Sequence, residues 1–177
     1  MRSPIARTVL ITFALAGCGA DAGGNLLEPS VSSFARSANA DTKTKHIRGT
    51  LETVETDLPG SAFPILRRRL EGTGTASHLG RFTVVANITL TVNPLAGTGT
   101  GIGTGTYTAA NGDVLTTTAV GQAVVVAGIA TVTETVTVTG GTGRFEGATG
   151  TLVVMRRVVQ ATGASTGTID GTITLPK

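Results

Sequence analysis

The chain has 177 residues, 40% of them apolar and only 14% charged, a charge density too low for a solvated disordered chain or a long coiled coil. Its 25 glycines lack the every-third-residue spacing of collagen, and with 33 threonines and few good helix formers they point to an all-β domain. A formal charge of +3 with 3% aromatic residues and no Trp supplies neither the basic face nor the stacking rings of a nucleic-acid binder. No nucleic-acid partner is expected, and carbohydrate stacking is disfavoured for the same reason.

The chain begins MRSPIARTVLITFALAGC, where Arg2 and Arg7 precede a short apolar core from Thr8 to Ala16. This is the layout of a secretory signal, too short to cross about 30 Å of hydrocarbon as a permanent helix. Its last residues, Leu15-Ala16-Gly17-Cys18, resemble the lipobox of bacterial lipoproteins. The resemblance implies that residues 1–17 are removed and that Cys18 becomes an acylated first residue, making the lipid bilayer a partner. Gly19, where Asp would signal inner-membrane retention, implies the outer membrane in a Gram-negative host. Losing Arg2 and Arg7 leaves 12 basic against 11 acidic residues, a net +1. The plainer alternative is a secretory signal with an incidental cysteine, but a lone exported thiol would be a reactive liability. As the only cysteine, Cys18 excludes an internal disulfide and a multi-cysteine zinc site. With two histidines in all, no metal site and no cofactor is expected. Residues 18–45 are rich in Ala, Ser, Gly, Asn and Asp and read as a flexible tether, with an end-to-end distance of roughly 30 Å. Leu26 to Ala38 could form a short helix within it.

From His46 onward, apolar and polar residues alternate with period two, broken by Gly, Pro and Asn. The alternation predicts strands over His46–Thr56, Pro64–Ser77, Arg81–Val92, Ile102–Ala109, Asp113–Gln122, Ile129–Thr139, Thr151–Gln160 and Gly167–Leu175. Asn111-Gly112 is the strongest hairpin signal among the breaks. Eight short-turned strands favour an up-and-down antiparallel β-barrel over 46–177, since closure removes both exposed edges. In the third strand Phe82, Val84, Ala86, Ile88, Leu90 and Val92 share a face. In the sixth, Ala130, Val132, Val136 and Val138 oppose a threonine row read as the solvated exterior. An ice-binding or solenoid surface would need a fixed repeat, and none recurs.

The stretch Gly140-Gly141-Thr142-Gly143-Arg144-Phe145-Glu146-Gly147-Ala148-Thr149-Gly150 resembles a segment of the allene oxide cyclase and dirigent barrel superfamily, which many bacterial secreted proteins carry. There it joins two barrel strands through a tight glycine turn. The resemblance implies the eight-stranded barrel and a site in its lumen, with Phe145 as an apolar plug. No motif places that superfamily's catalytic residues on this chain, so none is assigned. A glycine-rich phosphate cradle is the other reading, but no Lys-Ser/Thr follows and the flanks are strands.

Charged residues on inward faces mark the candidate site. Glu134 lies between Val132 and Val136, and Arg68 shares a face with Leu66 and Leu70. Either Arg156 or Arg157 must also point inward, and Arg157 is taken as the site residue. Isolated buried charges cost several kcal/mol, so these groups should pair or face lumen water. One reading is a ligand-binding carboxylate–guanidinium cluster; the others are a structural ion pair or a shifted register. His78 could serve at the barrel mouth near neutral pH or be an ordinary turn residue. Tyr107, the one tyrosine, could donate into the lumen or simply pack. The leading expectation is a lipoprotein barrel that binds a small apolar or amphipathic ligand in the lumen. The alternatives are a cofactor-free isomerase or cyclase, and a structural or interaction module of the cell envelope.

Overall fold

The computed structural model describes residues 42–177. The expected signal segment, Cys18 and the expected Leu26–Ala38 helix lie outside the described residues. Eight antiparallel strands run β1 Lys43–Asp57, β2 Ile65–Ala76, β3 Gly80–Asn93, β4 Thr98–Ala109, β5 Val114–Val126, β6 Ile129–Gly141, β7 Thr149–Val159 and β8 Ala164–Leu175. Each pairs with its sequence neighbours, and β8 returns to β1, closing an up-and-down barrel. The last pairing is extensive, from Lys43 opposite Leu175 to Val54 opposite Ala164. No strand edge is left to recruit another chain.

All eight expected strands are present, with displaced ends. The barrel begins at Lys43 rather than His46, shortening the expected tether, and β8 begins at Ala164 rather than Gly167. The largest changes are at β4, which starts at Thr98 instead of Ile102, and at β5, which ends at Val126 instead of Gln122. The sequence Thr98-Gly99-Thr100-Gly101 has the composition of a loop. It is held extended because it pairs on both sides, with Leu90–Asn93 on β3 and with Gly121–Val124 on β5. Tertiary pairing overrides the poor strand propensity of glycine.

The inward rows are unequal. β4 turns Gly99, Gly101, Gly103 and Gly105 inward and its threonines and Ile102 outward. β3 faces it with Val84, Ala86, Ile88, Leu90 and Val92. The threonines of β6, Thr131 to Thr139 in alternation, are exposed as expected. Glycines elsewhere serve a steric purpose: a Cβ at Gly72 would collide with the backbone oxygen of Glu52, where β1 and β2 approach closely. At Gly99 the nearest atom to such a Cβ would be Thr91 O, 3.5 Å away. Gly99 therefore leaves space, whereas a Cβ at Gly101 would meet Leu90 Cδ2 at 2.7 Å and one at Gly103 the Asn87 backbone oxygen at 2.8 Å.

One end of the barrel is solid. Ile47, Leu115, Phe145 and Ile173 are wholly buried there, with Leu79, Phe82, Ala109, Val138 and Leu152 packed around them. Phe145 ends a 3-10 turn, Gly143–Phe145, in the β6–β7 connection. Gly143 supplies its left-handed φ of 57°, and the Thr142 hydroxyl accepts the Val114 amide at 3.0 Å. Arg144 covers the outer face of the Phe145 ring, 4.8 Å from its centre, and reaches Asp113 at 3.5 Å. The glycine segment thus folds inward as a stopper. Phe145→Ala should destabilise the protein by about 3–5 kcal/mol, read from the midpoint of urea unfolding at unchanged m-value. A loss below about 1 kcal/mol would contradict the plug.

Candidate functional site

At the opposite end, inward side chains such as Leu66, Leu90, Val92 and Val125 are only half-buried. There the barrel holds a cavity of about 140 Å³ that reaches down to Tyr107, Thr117 and Val136. Its volume follows from the sequence: the β4 glycines and, on β5, Ala119, Gly121 and Ala123 add little side chain to that wall. The facing wall, from β6 round to β2, carries the charges.

Arg156 is the centre of that wall, its side chain 2% exposed. Its Nε donates to Glu134 Oε2 at 3.1 Å and its Nη2 to Glu134 Oε1 at 3.0 Å, a two-pronged pair. Nη1 donates to Glu55 Oε1 at 2.7 Å, and lies 3.4 Å from Ser165 Oγ. Ser165 Oγ is in turn 2.6 Å from Thr53 Oγ1. The other Glu55 oxygen accepts from Arg68 Nη1 at 3.1 Å, and Arg68 Nε donates to Asp57 at 3.0 Å near the rim. Two guanidiniums and two carboxylates therefore neutralise one another inside the barrel. No fully buried side-chain polar atom lacks a partner among the described residues.

Register and glycine place this network. Glu134 lies opposite Val154 and Arg156 opposite Val132, so the two are diagonal neighbours on one face, within reach of long side chains. Each also faces a glycine across its other edge, Gly121 beside Glu134 and Gly167 beside Arg156. A Cβ at Gly121 would come within 2.8 Å of Glu134 Cγ, and one at Gly167 within 2.7 Å of Arg156 Cγ. Burial by itself would pull Arg156 down, but the Glu134 and then Glu55 carboxylates outweigh it and hold the guanidinium above its usual range.

Of the expected site residues, the structure brings Arg68, Tyr107 and Glu134 to the cavity. Two are corrected. Arg157 points outward and is exposed, because Leu152, Val154 and Val158 take the inward positions of β7 and carry Arg156 with them. His78 is exposed in the β2–β3 turn with a left-handed φ of 62°, because the adjoining Leu79 takes the buried position at the solid end. It lies at the opposite end from the mouth. Arg68 pairs with Glu55 and Asp57 rather than with Glu134. Glu55 itself was not expected. Its signal was the inward parity of Ile47, Leu51 and Thr53 on the same strand.

Tyr107 is buried, its ring tilted 60° to Phe82 at 5.6 Å. Among the described residues its hydroxyl has no hydrogen-bond partner, and it lines the cavity. Burial, and secondly the Glu134 carboxylate, push this phenol up to about 12 against a smaller opposing effect of Arg156. It is therefore a neutral donor at any physiological pH. Among the described residues, no group of three His, Cys, Asp or Glu side chains could hold a metal ion.

Two outcomes follow. Arg156→Met should cost about 3–5 kcal/mol, since it leaves the buried Glu134 carboxylate uncompensated and Glu55 with Arg68 alone, whereas Glu134→Gln should cost less because Arg156 keeps Glu55. Equal losses in denaturant unfolding would remove Arg156 from the centre of the network. Phenolate absorbance reports Tyr107 alone, as the chain has one Tyr and no Trp. It should titrate at about 12 in the folded protein, and near 10 when unfolded. The folded state then holds the extra proton above pH ~10, so stability should fall as pH rises from there toward the folded value. Glu134→Gln should shift the titration downward.

No family model matches the chain, and no curated protein does. Among solved structures the chain is similar to a pterocarpan synthase dirigent protein, at 16% sequence identity over 77% of this chain and 87% of that one, with a TM-score of 0.49.

Proposed function

We propose that the barrel is a binding protein for a small, mainly apolar molecule that carries one hydrogen-bond acceptor. The observation that carries this reading is the 140 Å³ cavity with an unpartnered Tyr107 hydroxyl on its wall. A cavity of that size accommodates about one benzene-sized ring. The charged wall does not demand a charged ligand, because its arginines and carboxylates satisfy one another. What is left for a ligand is apolar surface and one neutral donor.

The same reading places the protein outside the cytoplasm, anchored in the bilayer through acylated Cys18. Arg2, Arg7 and Leu15-Ala16-Gly17-Cys18 support it. The intact mass of the membrane fraction should show loss of residues 1–17 and a gain of acyl chains, abolished by Cys18→Ser.

Toluene and acetophenone are matched probes of the lumen, differing chiefly in one acceptor oxygen. Both should bind the purified protein by calorimetry, acetophenone about two- to tenfold more tightly, the worth of one net hydrogen bond. Tyr107→Phe should erase that preference while leaving toluene unchanged. Ala119→Phe, which fills the lumen opposite Gly103, should abolish both while preserving the circular dichroism of the fold. Absence of binding by either probe to the unmodified protein would refute the reading.

A further inference from the structure

The two ends of the barrel differ in chemistry as sharply as its two lumen walls. At the solid end the apolar residues are buried, and the exposed ones include His46, Arg48, His78, Arg81, Arg144, Glu146 and Asp170. The mouth is the reverse. Its connections, residues 58–64, 94–97, 127–128 and 160–163, contain no Asp, Glu, Lys or Arg, and the acidic residue that adjoins them, exposed Asp57, is paired with Arg68. Each carries or adjoins an exposed apolar side chain: Phe63 (60% exposed) with Ile65, Leu95 (99%), Val126 (69%) and Val159.

These side chains are spread round a ring on four separate turns rather than gathered into a flat patch. A folded protein partner would need a matched surface for every tip, whereas a fluid apolar phase accepts each independently. The barrel cannot serve as a membrane-spanning one, since its exterior is dominated by threonine and its interior is apolar, the inverse of the transmembrane pattern.

Charge supplies the second observation. Arg67 lies two residues behind Ile65 on the outer face of β2, and Arg157 two residues behind Val159 on the outer face of β7. Both are exposed, and among the described residues neither has a carboxylate partner. Two residues of strand span about 6.6 Å, so an apolar tip in the acyl boundary leaves the guanidinium level with the lipid phosphates. Aliphatic stems toward the apolar phase and charged heads toward water suit arginine at such a boundary.

We propose that the mouth of the barrel docks end-on onto an anionic lipid bilayer, with Phe63, Ile65, Leu95 and Val126 entering the interface and Arg67 and Arg157 meeting the headgroup phosphates. The docking is independent of what the lumen binds. The route it creates, from the acyl region into the lumen without passage through water, rests on the ligand-binding reading above.

The test uses the full chain with Cys18→Ser, so that a thiol introduced by Leu95→Cys at the mouth or by Asn111→Cys at the solid end is unique. Each is labelled with an environment-sensitive fluorophore and mixed with phosphatidylcholine vesicles with or without phosphatidylglycerol. At position 95, bilayer-borne spin label should quench several-fold more than at position 111, and aqueous iodide correspondingly less. The effect should need phosphatidylglycerol, and Arg67→Gln with Arg157→Gln should weaken it roughly thirty-fold in lipid concentration, at about fivefold per guanidinium. Equal iodide access at both positions on vesicle-bound protein would overturn the docking. So would shielding of position 95 from both quenchers, which would mean that a second copy of the chain covers the mouth. Lack of dependence on phosphatidylglycerol or on the two arginines would also overturn it. Acetophenone binding without vesicles is read separately, so loss of docking with binding intact rejects the surface alone.

Discussion

Closure of the sheet governs everything else in this molecule. Once β8 pairs with β1 along twelve register positions, the lumen has a fixed cross-section, and every alternate residue of eight strands must share it. A bulky side chain at one position then obliges a small one beside it. The pairing of Glu134 with Gly121 and of Arg156 with Gly167 meets that constraint locally. At the solid end the volume is filled by branched aliphatics and Phe145. At the mouth the glycines of β4 leave part of it empty, and the cavity is what remains.

The internal ion network is not best viewed as a source of stability. Removing charges from water costs free energy that mutual attraction often does no more than recover. Its physical consequence is register. Sliding β7 by one residue would turn Arg156, Val154 and Val158 outward and break the contacts of Arg156 with Glu134 and Glu55. Arg156 engages β6 through Glu134 and β1 through Glu55, across the intervening β8. One guanidinium thus ties together the strands on either side of the closure and penalises misaligned pairings.

Most of the architecture was legible from alternation because β3 and β6 read cleanly: one face apolar, the other threonine or asparagine. β7 did not. In Val153-Val154-Met155-Arg156-Arg157-Val158-Val159, apolar pairs flank the two arginines, so both parities present similar faces. Only the partners on β6 and β8 break the symmetry. Glu55 was hidden differently, since β1 alternates between two polar-rich rows and carries Glu52 on the outer one. The alternation of Gly with Thr in β4 hid the cavity wall, because glycine signals a loop locally while its inward row signals an absence of side chains. His78 failed as a site residue because distance from the mouth depends on strand direction, which composition does not reveal. The N-terminal address concerns residues outside those described, and stands on the sequence alone.

An even number of strands also returns the chain to the end from which it set out. Lys43 and Leu175 are paired neighbours at the solid end, so any covalent extension of the barrel departs from there. The four connections at the mouth are simple hairpin links, each joining only two adjacent strands. Such a link can lengthen at a cost of about 0.6 kcal/mol per doubling, without crossing a terminus or disturbing the Phe145 stopper. Changes of loop length at the mouth and the packed Phe145 end are thereby kept on opposite poles of one cylinder.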